Sequence, residues 1–213
     1  MSQLPLHQQL YLMAHDDQGG AYIHLPSLGL GLAGAIVLDL MLAERLAVHE
    51  GVVWARAEQP TGDPLTNTVL QAIDHLENQR SLLFWIRLIS TDAYDRVSGG
   101  LISGGLLSRT TTKRRLGTRK DVFVPTDLGV SARIQSTVLH LFHGRSAGDP
   151  ATAALCGLIG VLCLERTLDS AEGTANQVRK RLRQVADEHV PSARIVLDLV
   201  GDLLGEAAVA VNR

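Results

Sequence analysis

Arg109, Lys113, Arg114, Arg115, Arg119 and Lys120 gather six cationic side chains in one short stretch, opposed only by Asp121. The whole chain has a formal net charge of −2, so this positive charge is concentrated rather than spread. Clustered guanidinium and ammonium groups attract phosphates, whether of lipid headgroups or of nucleic acid. The competing reading is a loop kept solvated by its own charges. Nucleic acid is the weaker partner, because the chain has a pI near 6.4, the tip has no aromatic residue, and no helix-turn-helix signature is present. Leu106–Thr112 and Asp121–Val124 are rich in β-branched residues and predict two strands flanking a Lys113–Lys120 tip.

Other groups with chemical potential resolve into structural roles. Gly29-Leu30-Gly31-Leu32-Ala33-Gly34 fits G-x-G-x-x-G, and Glu50 stands about 20 residues on, where a dinucleotide site holds its ribose acid. Pro26 and Ser27 precede the run in place of a buried strand, and strands and helices do not alternate along the chain. The glycines therefore predict close helix–helix contact, with dinucleotide binding as an alternative. His140 and His143 share a helix face without a neighbouring Asp, Glu or Cys to complete a metal site. Asp16-Asp17 reads as turn chemistry. Cys156 and Cys163, about 10.5 Å apart along a helix axis, are too distant for a disulfide and read as core fillers in a reducing compartment. Without G-x-S-x-G, a P-loop or H-E-x-x-H, the residues suggest no catalytic group, metal or cofactor, and the expectation is a non-enzyme.

These groups need a scaffold, and 213 residues with 46% apolar but only 4% aromatic content predict a single domain with an aliphatic helical core. Pattern and punctuation place a helix over Pro5–Ala14, a short strand at Ala21–Leu25 and a buried helix over Leu28–Leu46. A hairpin spans Leu46–Arg56, and Asp63-Pro64 start a helix running to about Asn78. Further helices cover Ser81–Ile89 and a segment capped by Asp92 that ends at Gly104-Gly105. After the basic hairpin come helices over Asp127–Phe142, Pro150–Leu168, Thr174–His189 and Pro191–Val211. In Thr174–His189 the stripe Val178, Leu182, Val185 is buried, and Arg179, Lys180, Arg181 and Arg183 form a solvated face. The start of the chain does not read as a secretory signal, and the longest apolar stretches, near Gly29–Met41 and Ala153–Leu164, fall short of a bilayer span. A cytoplasmic protein with peripheral membrane contact is expected.

Several blocks, in order and nearly spanning the chain, resemble the Golgi phosphoprotein 3 family. They are Leu10–Gly20; Gly31-Leu32-Ala33-Gly34 continuing through Leu38-Asp39-Leu40 to Arg45-Leu46; Pro60-Thr61-Gly62-Asp63 with Leu65 and Leu70; Asp95-Arg96-Val97 through Gly105-Leu106-Leu107; and Ala175–Leu182 with Ala207-Ala208-Val209. The resemblance implies a mainly α-helical fold with a protruding hairpin, and together with the residues above the expectation is a mainly α domain with one or two β-hairpins, the second protruding and basic. It also implies phosphatidylinositol 4-phosphate binding near a membrane-facing surface and self-association through the hairpin. The family's headgroup tryptophan and arginines fall on His24, Ala33, Thr91 and Tyr94, with Arg96 as a neighbouring arginine. His24, Tyr94 and Arg96 are thus the headgroup-pocket candidates that the resemblance implies. The turn at Asp16–Gly20 resembles bacterial members.

The resulting expectation is a peripheral adaptor that binds anionic membrane lipid at the inner membrane surface. Its contacts would be Arg109, Lys113, Arg114, Arg115, Arg119 and Lys120. The alternative is a scaffold that forms homo-oligomers through the same hairpin.

Overall fold

The computed structural model describes residues 3–56, 60–75, 80–113, 119–168 and 173–211. Its elements are Leu6–Met13 (α1), Leu25–Leu42 (α2), Leu46–His49 (β1), Val52–Ala55 (β2), Pro64–His75 (α3), Leu82–Ser90 (α4) and Ala93–Ser103 (α5). They continue with Leu107–Lys113 (β3), Arg119–Pro125 (β4), Leu128–Phe142 (α6), Pro150–Val161 (α7), Ala175–His189 (α8) and Arg194–Val211 (α9). The strands form two separate antiparallel pairs, β1 with β2 and β3 with β4. This is the mainly helical architecture with hairpins that the patterning predicts.

Helix α2 is the centre of the fold. A run this apolar on every side can be buried only if other elements surround it. Helices α1, α3, α4, α5, α7 and α9 and strand β1 all pack on it. It is the one helix among the described residues long and apolar enough to cross a membrane, and its neighbours here are protein. Glycines set the spacing of this core. A Cβ on Gly34 would meet Val200 Cγ2 at 2.8 Å, and one on Gly157 of α7 would meet Ala186 Cβ at 2.9 Å. Gly29–Gly34 is therefore helix interior under packed neighbours, with no loop to cradle a pyrophosphate.

Most helix starts follow local chemistry. Asp63, Ser81, Asp127 and Asp149 each accept a backbone N–H of their helix's first turn, and Thr174 and Gln177 form a reciprocal capping box on α8. Asp92 holds the same position on α5, yet its side chain makes no capping bond and faces Arg96 at 3.9 Å.

Three other expectations change. Ala21–Leu25 contributes only an isolated bridge, His15 with Ala21, and α2 already begins at Leu25. Helix α2 ends at Leu42, where Glu44 takes φ +57° and turns the chain into β1. Helix α7 stops at Val161, and Cys163 adopts φ +56° beyond it, so Cys163 is exposed while Cys156 fills the core. Burial pushes the Cys156 thiol up to about 12. Within α8, Val178, Leu182 and Val185 are buried as expected. The predicted end of α3 at Asn78 lies outside the described residues.

Candidate functional site

The β3–β4 hairpin is fastened at its root. Leu107 is buried, Thr126 donates its N–H to Leu106 O and its hydroxyl to Gly105 O, and a Cβ on Gly19 would collide with the Phe123 carbonyl. The register runs from Leu107↔Pro125 outward to Thr112↔Lys120 and Lys113↔Arg119. Two cations, Lys113 and Arg119, therefore oppose each other at the last rung, and Lys120 stands on the rung before it, at the end farthest from the core. Arg109 is exposed on β3, across from Phe123. Arg114 and Arg115 lie outside the described residues, as do the side chains of Lys113, Arg119 and Lys120.

The headgroup-pocket candidates separate. His24 is exposed at the N-cap of α2 and makes no capping bond. Tyr94 turns inward, with its hydroxyl 3.2 Å from Tyr11 Oη and 3.1 Å from His15 Nε2. Because the Tyr11 carbonyl 2.7 Å from His15 Nδ1 can only accept, Nδ1 carries the proton and the bare Nε2 accepts from Tyr94. The Tyr11 and His15 rings stack at 4.1 Å. Burial holds His15 below its ordinary 6.5, opposed in part by the Tyr11 carbonyl. Burial also holds the Tyr11 phenol far above its usual range, reinforced by its bond with Tyr94. Tyr94 is thus committed to an aromatic hydrogen-bond relay with Tyr11 and His15.

Arg96 sits two positions along α5, on a different face, and lines a cleft of about 860 Å³ between α1, the start of α3, and α5. The floor of that cleft is His7. Pro5 cannot cap α1 with a side chain, and Asp39 of α2 does so from a distance. Asp39 accepts from Leu6 N at 2.8 Å, from His7 N at 3.2 Å and from His7 Nδ1 at 2.7 Å. His7 Nε2 faces Asp63 Oδ2 at 3.8 Å.

Among the described residues no group of three or more His, Cys, Asp or Glu could hold a metal ion. His140 and His143 are exposed, and the His143 ring bonds to the Leu139 carbonyl. Asp16 Oδ1 accepts from Gln18 N and Gly20 N, as its turn role requires.

The model of the family described as Golgi phosphoprotein 3 (GPP34) matches residues 6–210. The chain belongs to the Golgi phosphoprotein 3 family. No curated protein matches it. Family membership accounts for the blocks read from the sequence: Gly31–Leu46 is the buried helix and its turn into β1, and Pro60–Asp63 is the loop that caps α3. What sequence reading did not find is the pair of polar assemblies, Tyr11–His15–Tyr94 and His7–Asp39–Asp63. One signal was available. Asp39 is a lone carboxylate in an otherwise apolar helix, and such a group must find partners.

Proposed function

We propose that this Golgi phosphoprotein 3 family member is a non-catalytic peripheral adaptor that binds anionic lipid surfaces through its β3–β4 hairpin. The strand register carries the reading, because it gathers Lys113, Arg119 and Lys120 at the end of the hairpin away from the core. Six cations near an anionic membrane contribute about 1 kcal/mol each, enough for reversible recruitment without a lipid anchor.

The binding reads charge rather than one headgroup. Phosphatidylinositol 4-phosphate selectivity in the family rests on arginines, and here Ala33 is buried and Tyr94 is committed to Tyr11 and His15. The expected site of action is the cytoplasmic face of the inner membrane.

Flotation with phosphatidylglycerol vesicles tests the reading. The protein should float with them, stay behind with phosphatidylcholine, and release between low salt and 0.15 M, where screening sets in beyond roughly 8 Å. Replacing Lys113, Arg114, Arg115, Arg119 and Lys120 together by Ser should abolish flotation and leave the thermal melt unchanged. Salt-resistant selectivity for phosphatidylinositol 4-phosphate would defeat the charge-only reading. No flotation, combined with self-association lost in the Ser variant, would make the hairpin an oligomerisation element.

A further inference from the structure

The cleft between α1, α3 and α5 belongs neither to the hairpin nor to the Tyr94 relay, and its polar groups are incompletely matched. His7 is 1% exposed. Its Nδ1 meets the Asp39 carboxylate at 2.7 Å and carries the proton there, which leaves Nε2 as an acceptor in the neutral ring. Nε2 has no hydrogen-bond partner among the described residues. Its nearest polar neighbour, Asp63 Oδ2 at 3.8 Å, lies beyond hydrogen-bonding distance. Asp63 is likewise underused: Oδ2 accepts the Thr66 N–H at 2.8 Å, and Oδ1 has no partner among the described residues. Asp39, by contrast, takes three donors.

Two acceptors facing one cleft favour a positively charged donor between them. A proton on Nε2 would have to reach Asp63 across 3.8 Å, whereas an ammonium group can stand within bonding distance of both. Arg96 lines the same cleft with the opposite charge. Its ion-pair partner is Asp92 at 3.9 Å, so most of its five N–H donors remain for a ligand. Pro5, Pro64, Leu65 and Val97 give the cleft apolar wall suited to a short carbon stem.

We propose that this cleft binds a small zwitterion, with its ammonium on Asp63 and His7 Nε2 and its carboxylate or phosphate on Arg96. The site is independent of the lipid reading above, and the five-Ser hairpin variant retains it.

Calorimetric titration with ω-amino acids from glycine to 6-aminohexanoate, and with phosphoethanolamine, tests the site. One member should bind at least tenfold tighter than the alkylamine or alkylcarboxylate of equal length. Asp63→Asn keeps an oxygen for the Thr66 N–H but removes the charge, and should weaken binding at least tenfold. Arg96→Gln should reduce the zwitterion to the affinity of the matched amine. Gly100 lines the cleft, and a Cβ there meets nothing within 4 Å, so Gly100→Leu should block the site without lowering the melting temperature. This last variant carries the test if Asp63→Asn does not fold. Flotation with phosphatidylethanolamine vesicles, lost in Gly100→Leu, would identify the source as a lipid headgroup; titration without flotation would identify a free molecule. The site is overturned if no zwitterion outbinds its matched amine and carboxylate, or if a normally melting Gly100→Leu protein binds like the parent.

Discussion

Helices α2 and α5 both carry paired small residues, and the two regions use them in opposite ways. On α2, Gly34 is covered, with Val200 Cγ2 2.8 Å from where its Cβ would stand. On α5, Gly99 and Gly100 have nothing within 4 Å of that position. The first glycine lets two helices approach, and the second pair leaves open space beside a cleft. Polar groups divide the same way. Helix α2 tolerates one acid, Asp39, because three donors from α1 meet it, whereas α5 turns Tyr94 inward and Arg96 toward the cleft. Residue type alone does not distinguish the closed face from the open one; the neighbours do.

The largest effect should come from Asp39→Ala, which leaves two backbone N–H groups and a buried imidazole without their acceptor. A loss of about 3 kcal/mol in denaturant unfolding is expected. Gly34→Leu should follow, costing about 1–3 kcal/mol by overpacking against Val200. A loss below a few tenths would mean that the α2–α9 seam can relax and that the contrast with α5 is false.

Acid provides a third probe. His15 is held below its ordinary 6.5 in the folded protein, so the unfolded chain binds more protons as pH falls. Its contribution is intact above about pH 6.5 and is lost progressively below it. A pH series of thermal melts should show this loss, and Tyr94→Phe should change it, because the Tyr94 hydroxyl is the donor that favours the neutral ring. Gly100→Ala reverses the sign and should stabilise by about 0.5–1 kcal/mol, since a helical glycine is replaced where nothing obstructs a methyl group. The smallest effect belongs to Arg87→Ala, which removes an exposed pair with Glu206 at 2.9 Å and should cost under about 1 kcal/mol.

The parts of this fold legible in the sequence are those specified within a few residues. Asp63-Pro64, Ser81, Asp127 and Thr174 announce helix starts because a cap acts on the next turn. The two hairpins follow from short-range alternation. Cys163 was misread because helical spacing was carried past Val161, where the chain turns left-handed. The start of α2 was missed because its first residues, Leu25 and Pro26, are exposed and lie outside the apolar run. The cleft was illegible for a different reason. His7, Asp39 and Asp63 come from three elements, and only the packing of α1 and α3 against α2 brings them together.

The burial of α2 also sets an order of events during synthesis. Gly34 is covered partly by Val196 and Val200 of α9, which follow it by roughly 160 residues. At ribosomal rates of roughly 5–20 residues per second, tens of seconds at the slow end separate the emergence of α2 from that of its cover. Throughout that interval the nascent chain carries an incompletely covered 18-residue apolar helix that meets the length requirement of a membrane span. The chain must therefore stay clear of insertion machinery and of other nascent chains until α9 closes over it. Truncations that remove α9 should accumulate as aggregated or membrane-associated protein rather than as a smaller folded unit.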